Sequence, residues 1–153
     1  MKHLIIFLII ILGILIIKCA SSEVEHFKQT SSPYTMPQVN LKHSYQIEDR
    51  GAFATTNYKK GDIIEICPAI LQNTEEAQGK VRDYLFRYDD DYSLIGFGYC
   101  SMYNHSDEPN ASWHVLNSEK IRVKATRDID IGDEIFVSYG DDYWSTREDA
   151  KKN

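Results

Sequence analysis

The stretch Gly96-Phe97-Gly98-Tyr99-Cys100-Ser101-Met102-Tyr103-Asn104-His105-Ser106, followed by Pro109-Asn110, decides the reading of this chain together with one other. The other is Gly132-Asp133-Glu134-Ile135-Phe136-Val137-Ser138-Tyr139-Gly140, followed by Asp141-Asp142-Tyr143-Trp144. Taken singly, neither is specific. An isolated Asn-His-Ser is a common tripeptide that reads as a polar turn, with His105 an ordinary hydrogen-bonded histidine. His105 and His114 lack a third ligand at supporting spacing, so no metal centre is expected.

Around these stretches the pattern is that of short strands. Val39, Leu41, His43, Tyr45 and Ile47 alternate with Asn40, Lys42, Ser44 and Gln46, the period of a half-buried strand. Arg50-Gly51 then predicts a sharp turn before a second short strand, Ala52-Phe53-Ala54. Lys59-Lys60-Gly61-Asp62 is turn chemistry ahead of the β-rich run Ile63 to Ile66. The same grammar returns at Asp130-Ile131-Gly132-Asp133 before Glu134 to Val137, an echo too short to be a repeat. Asn73 or Thr74 is placed to cap a short helix through Glu75, Glu76 and Ala77, limited by Gly79, with a further turn or two over Val81 to Tyr88. The fold class is mainly β, built of several small sheets with little helix.

The 153 residues suffice for one domain. With 42% hydrophobic and 26% charged residues the composition is that of a globular chain. Tyrosine dominates the aromatics, 10 against 6 Phe and 2 Trp, and buried hydroxyls need partners. That abundance hints at a polar-lined cavity, although for any one tyrosine a place on a strand face is the more ordinary reading. The formal charge of −6 includes Lys2 and Lys18, so the rest of the chain stands at −8. Such a body repels phosphate backbones and attracts cations, which excludes direct nucleic-acid binding. Cys19, Cys67 and Cys100 show no C-x-x-C spacing, so neither a zinc site nor a disulfide framework is implied. A Cys67–Cys100 pair in an oxidising compartment stays open.

Residues 1–20 hold an apolar run from Leu4 to Ile17 between Lys2 and Lys18, interrupted by Gly13 alone. As a helix the run reaches ~21 Å against a hydrocarbon layer of ~30 Å, a span that Lys18 snorkelling and Cys19 to Ser22 could complete. Two readings stand: a single-pass anchor, or a signal peptide cleaved near Ala20-Ser21-Ser22 with secretion of the rest. Residues 21–37, with Ser31, Ser32, Pro33 and Pro37, read as a linker, 38–144 as the folded domain and 145–153 as a tail.

In their order and spacing the motifs resemble the SET-domain family of protein-lysine methyltransferases, from about Val39 to Trp144. Arg50-Gly51-Ala52-Phe53-Ala54 is similar to the family's glycine-containing cofactor turn, with Asp49 where a first glycine is usual. Lys60-Gly61-Asp62-Ile63-Ile64-Glu65 resembles its next strand entry. Asn104-His105-Ser106 with Pro109-Asn110 resembles its central signature. Gly132-Asp133-Glu134 to Tyr139-Gly140 resembles its C-terminal signature, with Asp133 for the commoner Glu. The Tyr-Gly-Asp-Asp-Tyr-Trp ending is especially similar to compact SET domains of large DNA viruses.

The resemblance implies a SET fold in which the Tyr139 segment threads beneath the Asn-His-Ser segment, a knot-like core. It implies S-adenosylmethionine as cofactor and a lysine of a basic protein, such as a histone tail, as substrate. Tyr139 becomes the catalytic tyrosine. Asn104 and His105 become cofactor ligands on the adenine side, Arg50 and Ala52 backbone contacts to the amino-acid part, and Trp144 the cover over adenine. Tyr143, with Tyr84 and Tyr103 as further candidates, lines the lysine channel. Many family members close the site with a cysteine-rich zinc module. No cysteine follows Trp144, so Tyr143 and Trp144 are expected to close it instead. A homodimer completing the site is left open.

Two other functional classes compete with the enzyme: a silent SET-like module that grips peptide or cofactor, and a membrane-tethered β-rich interaction protein with no cofactor. Asn104-His105-Ser106 and Asn110-Ala111-Ser112 both match the N-glycosylation pattern, and a glycan on Asn104 would block a cofactor pocket. The domain is therefore expected to face the cytosol, against the weak flanking-charge bias that would send it across the membrane.

Overall fold

The computed structural model describes residues 34–145. The expected N-terminal anchor or signal helix, most of the linker and all but the first residue of the tail lie outside the described residues. Among the described residues nine strands form three small sheets, and helix is confined to short turns.

Strands β1 (Val39–Ser44) and β2 (Asp49–Ala54) form an antiparallel hairpin in which Lys42 faces Gly51. Gly51 therefore lies inside β2, and the expected turn at Arg50-Gly51 is corrected. The chain reverses at 45–48 instead, with Glu48 at φ 57°. The expected burial alternation is corrected with it. Only Val39 and Ser44 of β1 are buried, while Tyr45, 84% exposed, and Ile47 belong to the reversal. What Gly51 provides is room rather than a bend. A Cβ there would stand 2.6 Å from Cδ of Glu134, whose carboxylate packs on the Gly51 backbone.

The five-stranded sheet has the order β4-β5-β3-β8-β7, all neighbours antiparallel. Its members are β3 (Ile63–Asn73), β4 (Leu85–Arg87), β5 (Tyr92–Gly96), β7 (Ala111–Asn117) and β8 (Lys120–Ala125). In β8 the buried residues Ile121, Val123 and Ala125 alternate with half-buried Lys120, Arg122 and Lys124, one face of a pleated strand. The β7–β8 hairpin has no counterpart among the elements expected from sequence. The helix expected after Asn73 is a single turn: Asn73 Oδ1 accepts the N–H groups of Glu75 and Glu76 at 3.0 and 3.3 Å, and no helix follows. Gly79, with φ 60°, opens a 3-10 helix to Tyr84 rather than ending one.

The two echoing tetrapeptides fold alike. Asp62 N–H reaches the Lys59 carbonyl at 2.9 Å and Asp133 N–H the Asp130 carbonyl at 3.0 Å. In each turn the aspartate carboxylate returns to the first N–H, at 2.8 and 3.1 Å, and glycine takes a positive φ of 101° or 95°. The residues ahead of the turns, Tyr58 and Ile129, exchange backbone bonds of 2.9 Å. Beyond the second turn, Ile135 N–H donates to the Ala52 carbonyl and Ala54 N–H to the Asp133 carbonyl, both at 2.8 Å. The C-terminal motif thus runs along the free edge of β2.

Gly51→Ala pushes a methyl group against the Glu134 carboxylate. It is expected to cost about 2 kcal/mol of unfolding free energy, as overpacked sites do, read by urea denaturation against the wild type.

Candidate active site

Two dipeptides from the two motifs pair side by side: β6 (Asn104–His105) and β9 (Phe136–Val137) form a parallel ladder. Parallel strands need a long crossover, and the β7–β8 hairpin supplies it. Ser106 N–H extends the ladder to the Val137 carbonyl at 3.1 Å. Asn110 clamps it from the side. Its Nδ2 donates to the Glu134 carbonyl and its Oδ1 accepts from Phe136 N–H, both at 2.8 Å, with the residue 4% exposed. These bonds satisfy donor and acceptor of a buried amide together.

The ladder delivers Tyr139 to a fixed place. Its N–H donates to His105 Nδ1 at 3.1 Å, and its hydroxyl to the Tyr103 carbonyl at 3.0 Å. Because Nδ1 accepts, the proton of His105 sits on Nε2, which faces Asp107 Oδ1 at 3.2 Å. Around Tyr139 the aromatic rings close in: Tyr143 at 4.7 Å and tilted, His105 at 5.4 Å, and Trp144 stacked at 6.2 Å between centroids. Tyr143 and Trp144 come from α1 (Asp141–Ser145), and Trp144 meets His105 edge-on at 4.8 Å.

A cavity opens here. Of the residues singled out from sequence, Arg50, Tyr84, Tyr103, Asn104, Tyr139 and Tyr143 line it. His105 and Trp144 pack against Tyr139 but are not among the lining residues. Ala52 is not brought to it: fully buried, it spends its carbonyl on Ile135. The Asn104 side chain is spent as well, its Nδ2 donating to the Arg50 carbonyl at 2.7 Å and to Glu134 Oε1 at 2.8 Å. It ties the two motifs to β2. Tyr103 is 1% exposed and points its hydroxyl away, to Glu65 at 3.1 Å, so the group it offers Tyr139 is its carbonyl.

Sequence reasoning missed much of the wall, Phe86, Trp113 and Met102 among it. Phe86 and Trp113 meet edge to face at 5.1 Å, and Met102 lies beside them. Trp113 Nε1 donates to the Ser138 carbonyl at 2.9 Å, fixing the residue before Tyr139. Its indole beside Val115 in an alternating segment was the available signal. Sequence reasoning also missed Glu65, a carboxylate 2% exposed on β3 that accepts Tyr103 O–H and Tyr99 N–H, each at 3.1 Å. Cys67 and Cys100 are joined in a disulfide beside it. The Glu65, Cys67 and Cys100 donor atoms lie within 4.8 Å of one another, but the sulfurs are committed to each other.

Burial sets the electrostatics. It pushes the Tyr139 hydroxyl well above its ordinary range, helped by Tyr143 and Tyr84, so Tyr139 keeps its proton at neutral pH. It is a hydrogen-bonding group and not a base. Burial likewise raises Glu65 from 4.5 to about 7, against the lowering effect of its bonds from Tyr99 and Tyr103.

A family model for the SET domain matches residues 49–140. A solved Plasmodium falciparum chain described as a histone methyltransferase superposes with a TM-score of 0.63 at 33% identity, covering 72% of this chain and 99% of that one. A Schizosaccharomyces pombe histone-lysine N-methyltransferase specific for H3 lysine-37 is 29% identical over 101 residues, 62% of this chain and 69% of its own. The histone-lysine N-methyltransferase set9 of Aspergillus terreus is 51% identical over 41 residues, which are 27% of this chain and 6% of that protein.

Glu65 holds a proton in the folded state over a range in which the unfolded chain has released it. Stability is therefore lost as pH rises from about 4.5 through about 7. Unfolding free energy is expected to fall over that range. Glu65→Gln, which keeps the shape and an acceptor, is expected to flatten the fall, leaving the variant at least as stable as wild type at about pH 8 in urea titrations.

Proposed function

The chain belongs to the SET-domain family of protein-lysine methyltransferases. From that premise we propose that it transfers a methyl group from S-adenosylmethionine to a lysine of a histone or another basic protein tail. The observation that carries this reading is the Tyr139 hydroxyl, held on the Tyr103 carbonyl at the wall of a tyrosine- and tryptophan-lined cavity.

The physical chemistry of lysine methylation suits such a wall. A free lysine has a pKa of ~10.4, so presenting its neutral amine at pH 7 costs ~4.6 kcal/mol. A narrow aromatic channel attracts the incoming ammonium through ring faces, then disfavours its charge by desolvation. Tyr139 holds its own proton too tightly to act as base. Its role is alignment: with its hydroxyl hydrogen engaged by the Tyr103 carbonyl, its oxygen lone pairs remain to orient the reacting amine. Trp113 and His105 act through it, by fixing the Ser138 carbonyl and the Tyr139 N–H.

The residues fit the cofactor. Asp49 and Arg50 stand together at the cavity with Arg50 Nε 3.9 Å from the Asp49 carboxylate, a charge pair suited to a zwitterionic amino acid. The aromatic wall suits a sulfonium. When bound there, S-adenosylmethionine supplies an activated methyl group. Arg50 and Asn104, which line the cavity, would hold it, and Trp144, stacked on Tyr139, would stiffen the wall. The acidic body favours a basic substrate. The relatives' histone specificity supports a histone tail.

We further propose that the domain works in the cytosol, tethered by its N-terminal segment. Both glycosylation patterns are sealed in the fold, Asn104 by its two bonds and Asn110 by its clamp, so a chain that folds as described bears no glycan there. The paired Cys67 and Cys100 pull the other way, since disulfides persist in oxidising compartments. Protein made in eukaryotic cells is expected to show no glycosidase-sensitive mobility shift; a shift would place the domain in the secretory pathway.

The full chain, given S-adenosylmethionine and histones, is expected to methylate lysine. Tyr139→Phe is expected to lower kcat on the order of a hundredfold while leaving cofactor affinity within a few-fold. Cofactor binding with no transfer to histones or to a mixed lysate would favour the silent binding module, to which the Asp49 departure from the family pattern points.

A further inference from the structure

We propose that Glu65 is a positioning residue for methyl transfer, acting through Tyr103 on the Tyr139 hydroxyl. The inference rests on the role given above to Tyr139.

Glu65 is a buried carboxylate near the start of β3, with buried Ile64 and Cys67 on either side, where an apolar side chain would carry no desolvation cost. What the carboxylate does there is organise the segment that leads into the site. One oxygen accepts Tyr99 N–H and the other Tyr103 O–H, each at 3.1 Å. Gly98, at φ 82°, passes so close that a Cβ would stand 2.6 Å from Glu65 Oε1. The 3-10 turn Cys100–Met102 lies between these two anchor points.

Tyr103 therefore spans two worlds. Its ring ends on Glu65, and its carbonyl accepts the Tyr139 hydroxyl at 3.0 Å. A shift of the ring end moves the carbonyl, and with it the oxygen that must face the substrate amine. Ionised, Glu65 accepts both bonds, and a charge-assisted bond is roughly twice as strong as a neutral one. Protonated, it loses that charge assistance and the grip on Tyr103 weakens.

The groups facing Glu65 leave it as the residue of this cluster that titrates near neutrality. Tyr103 and Tyr58 are both pushed above their ordinary range by burial, Tyr99 contributes a backbone N–H, and the Cys67–Cys100 disulfide has no proton to lose. Raised by burial to about 7, Glu65 is the group here that changes charge near neutral pH.

The sign of the effect separates positioning from mere support. Removing the charge relieves a buried carboxylate, so a purely structural role makes Glu65→Gln at least as active as wild type in alkaline buffer. Positioning makes it less active while no less stable.

The test uses the full chain, with kcat and KM for S-adenosylmethionine and a histone acceptor measured from about pH 6 to about pH 9, and urea unfolding alongside. Wild-type kcat is expected to rise through an inflection near 7. Glu65→Gln is expected to lose that inflection and about three- to tenfold in kcat at about pH 8, with KM for the cofactor within about twofold. Tyr103→Phe removes a bond that lowers the Glu65 pKa, so its inflection moves upward. A Gln variant with wild-type kcat, or one that keeps the inflection, overturns the proposal. A second readout does not depend on activity. The ring signal of Tyr139 in carbon-labelled protein, assigned by Tyr139→Phe, should titrate near 7 in wild type and stay flat in Glu65→Gln. A flat wild-type signal overturns the positioning role even in an active enzyme. A titrating signal in a protein that transfers no methyl group upholds the coupling and counts against the enzymatic reading alone.

Discussion

The Glu134 carboxylate accepts Ser44 Oγ at 2.6 Å on one oxygen and Asn104 Nδ2 at 2.8 Å on the other, while its own carbonyl takes Asn110 Nδ2. One residue thus joins the β1–β2 hairpin, the Asn-His-Ser segment and the Asn110 clamp. Ser44 is fully buried, so the acceptor it finds on Glu134 is one that water cannot replace. Asn104 carries the tie onward to the Arg50 carbonyl. The relative placement of Arg50, Asn104 and Tyr139 depends on this network, and the small sheets alone would not fix it.

The same network explains the division of labour around Tyr139. Side chains that would be read as ligand contacts are instead consumed in holding backbone. Asn104 holds β2, His105 holds the Tyr139 N–H, and Trp113 holds the Ser138 carbonyl. What remains facing the cavity is aromatic and aliphatic surface with a few charged groups, Asp49, Arg50 and Asp83. A site made this way is positioned by hydrogen bonds that are largely complete before any ligand arrives, which is how alignment lowers a barrier.

Sequence disclosed the parts whose signals are local or whose order is distinctive. The two tetrapeptide turns were visible because Gly and Asp at fixed offsets have one conformational purpose, and they fold alike. The two motifs were visible as a pair, although only the fold shows that Asn104 and His105 lie parallel to Phe136 and Val137. Gly51 was misread because glycine serves two ends that look identical in sequence: permission to turn, and permission for another group to come close. Here the second holds. Glu65 escaped because a carboxylate in an alternating strand reads as solvent-facing until its neighbours are known. Tyr103 was picked out for the cavity it does line, but sequence could not show that its hydroxyl points away to Glu65. The β7–β8 hairpin was legible in the alternation of Ile121, Val123 and Ala125 and simply lay between louder signals.

The parallel ladder of β6 and β9 has a consequence for how the molecule comes into being. Its two strands are adjacent in space but separated in the chain by the whole β7–β8 hairpin, so the ladder closes a long loop before any contact repays the entropy. The catalytic arrangement is then among the last things to form. A ligand that requires both motifs at once recognises only finished chains, and by mass action it draws the nascent population toward them. Affinity for such a ligand would double as a check on the finished fold.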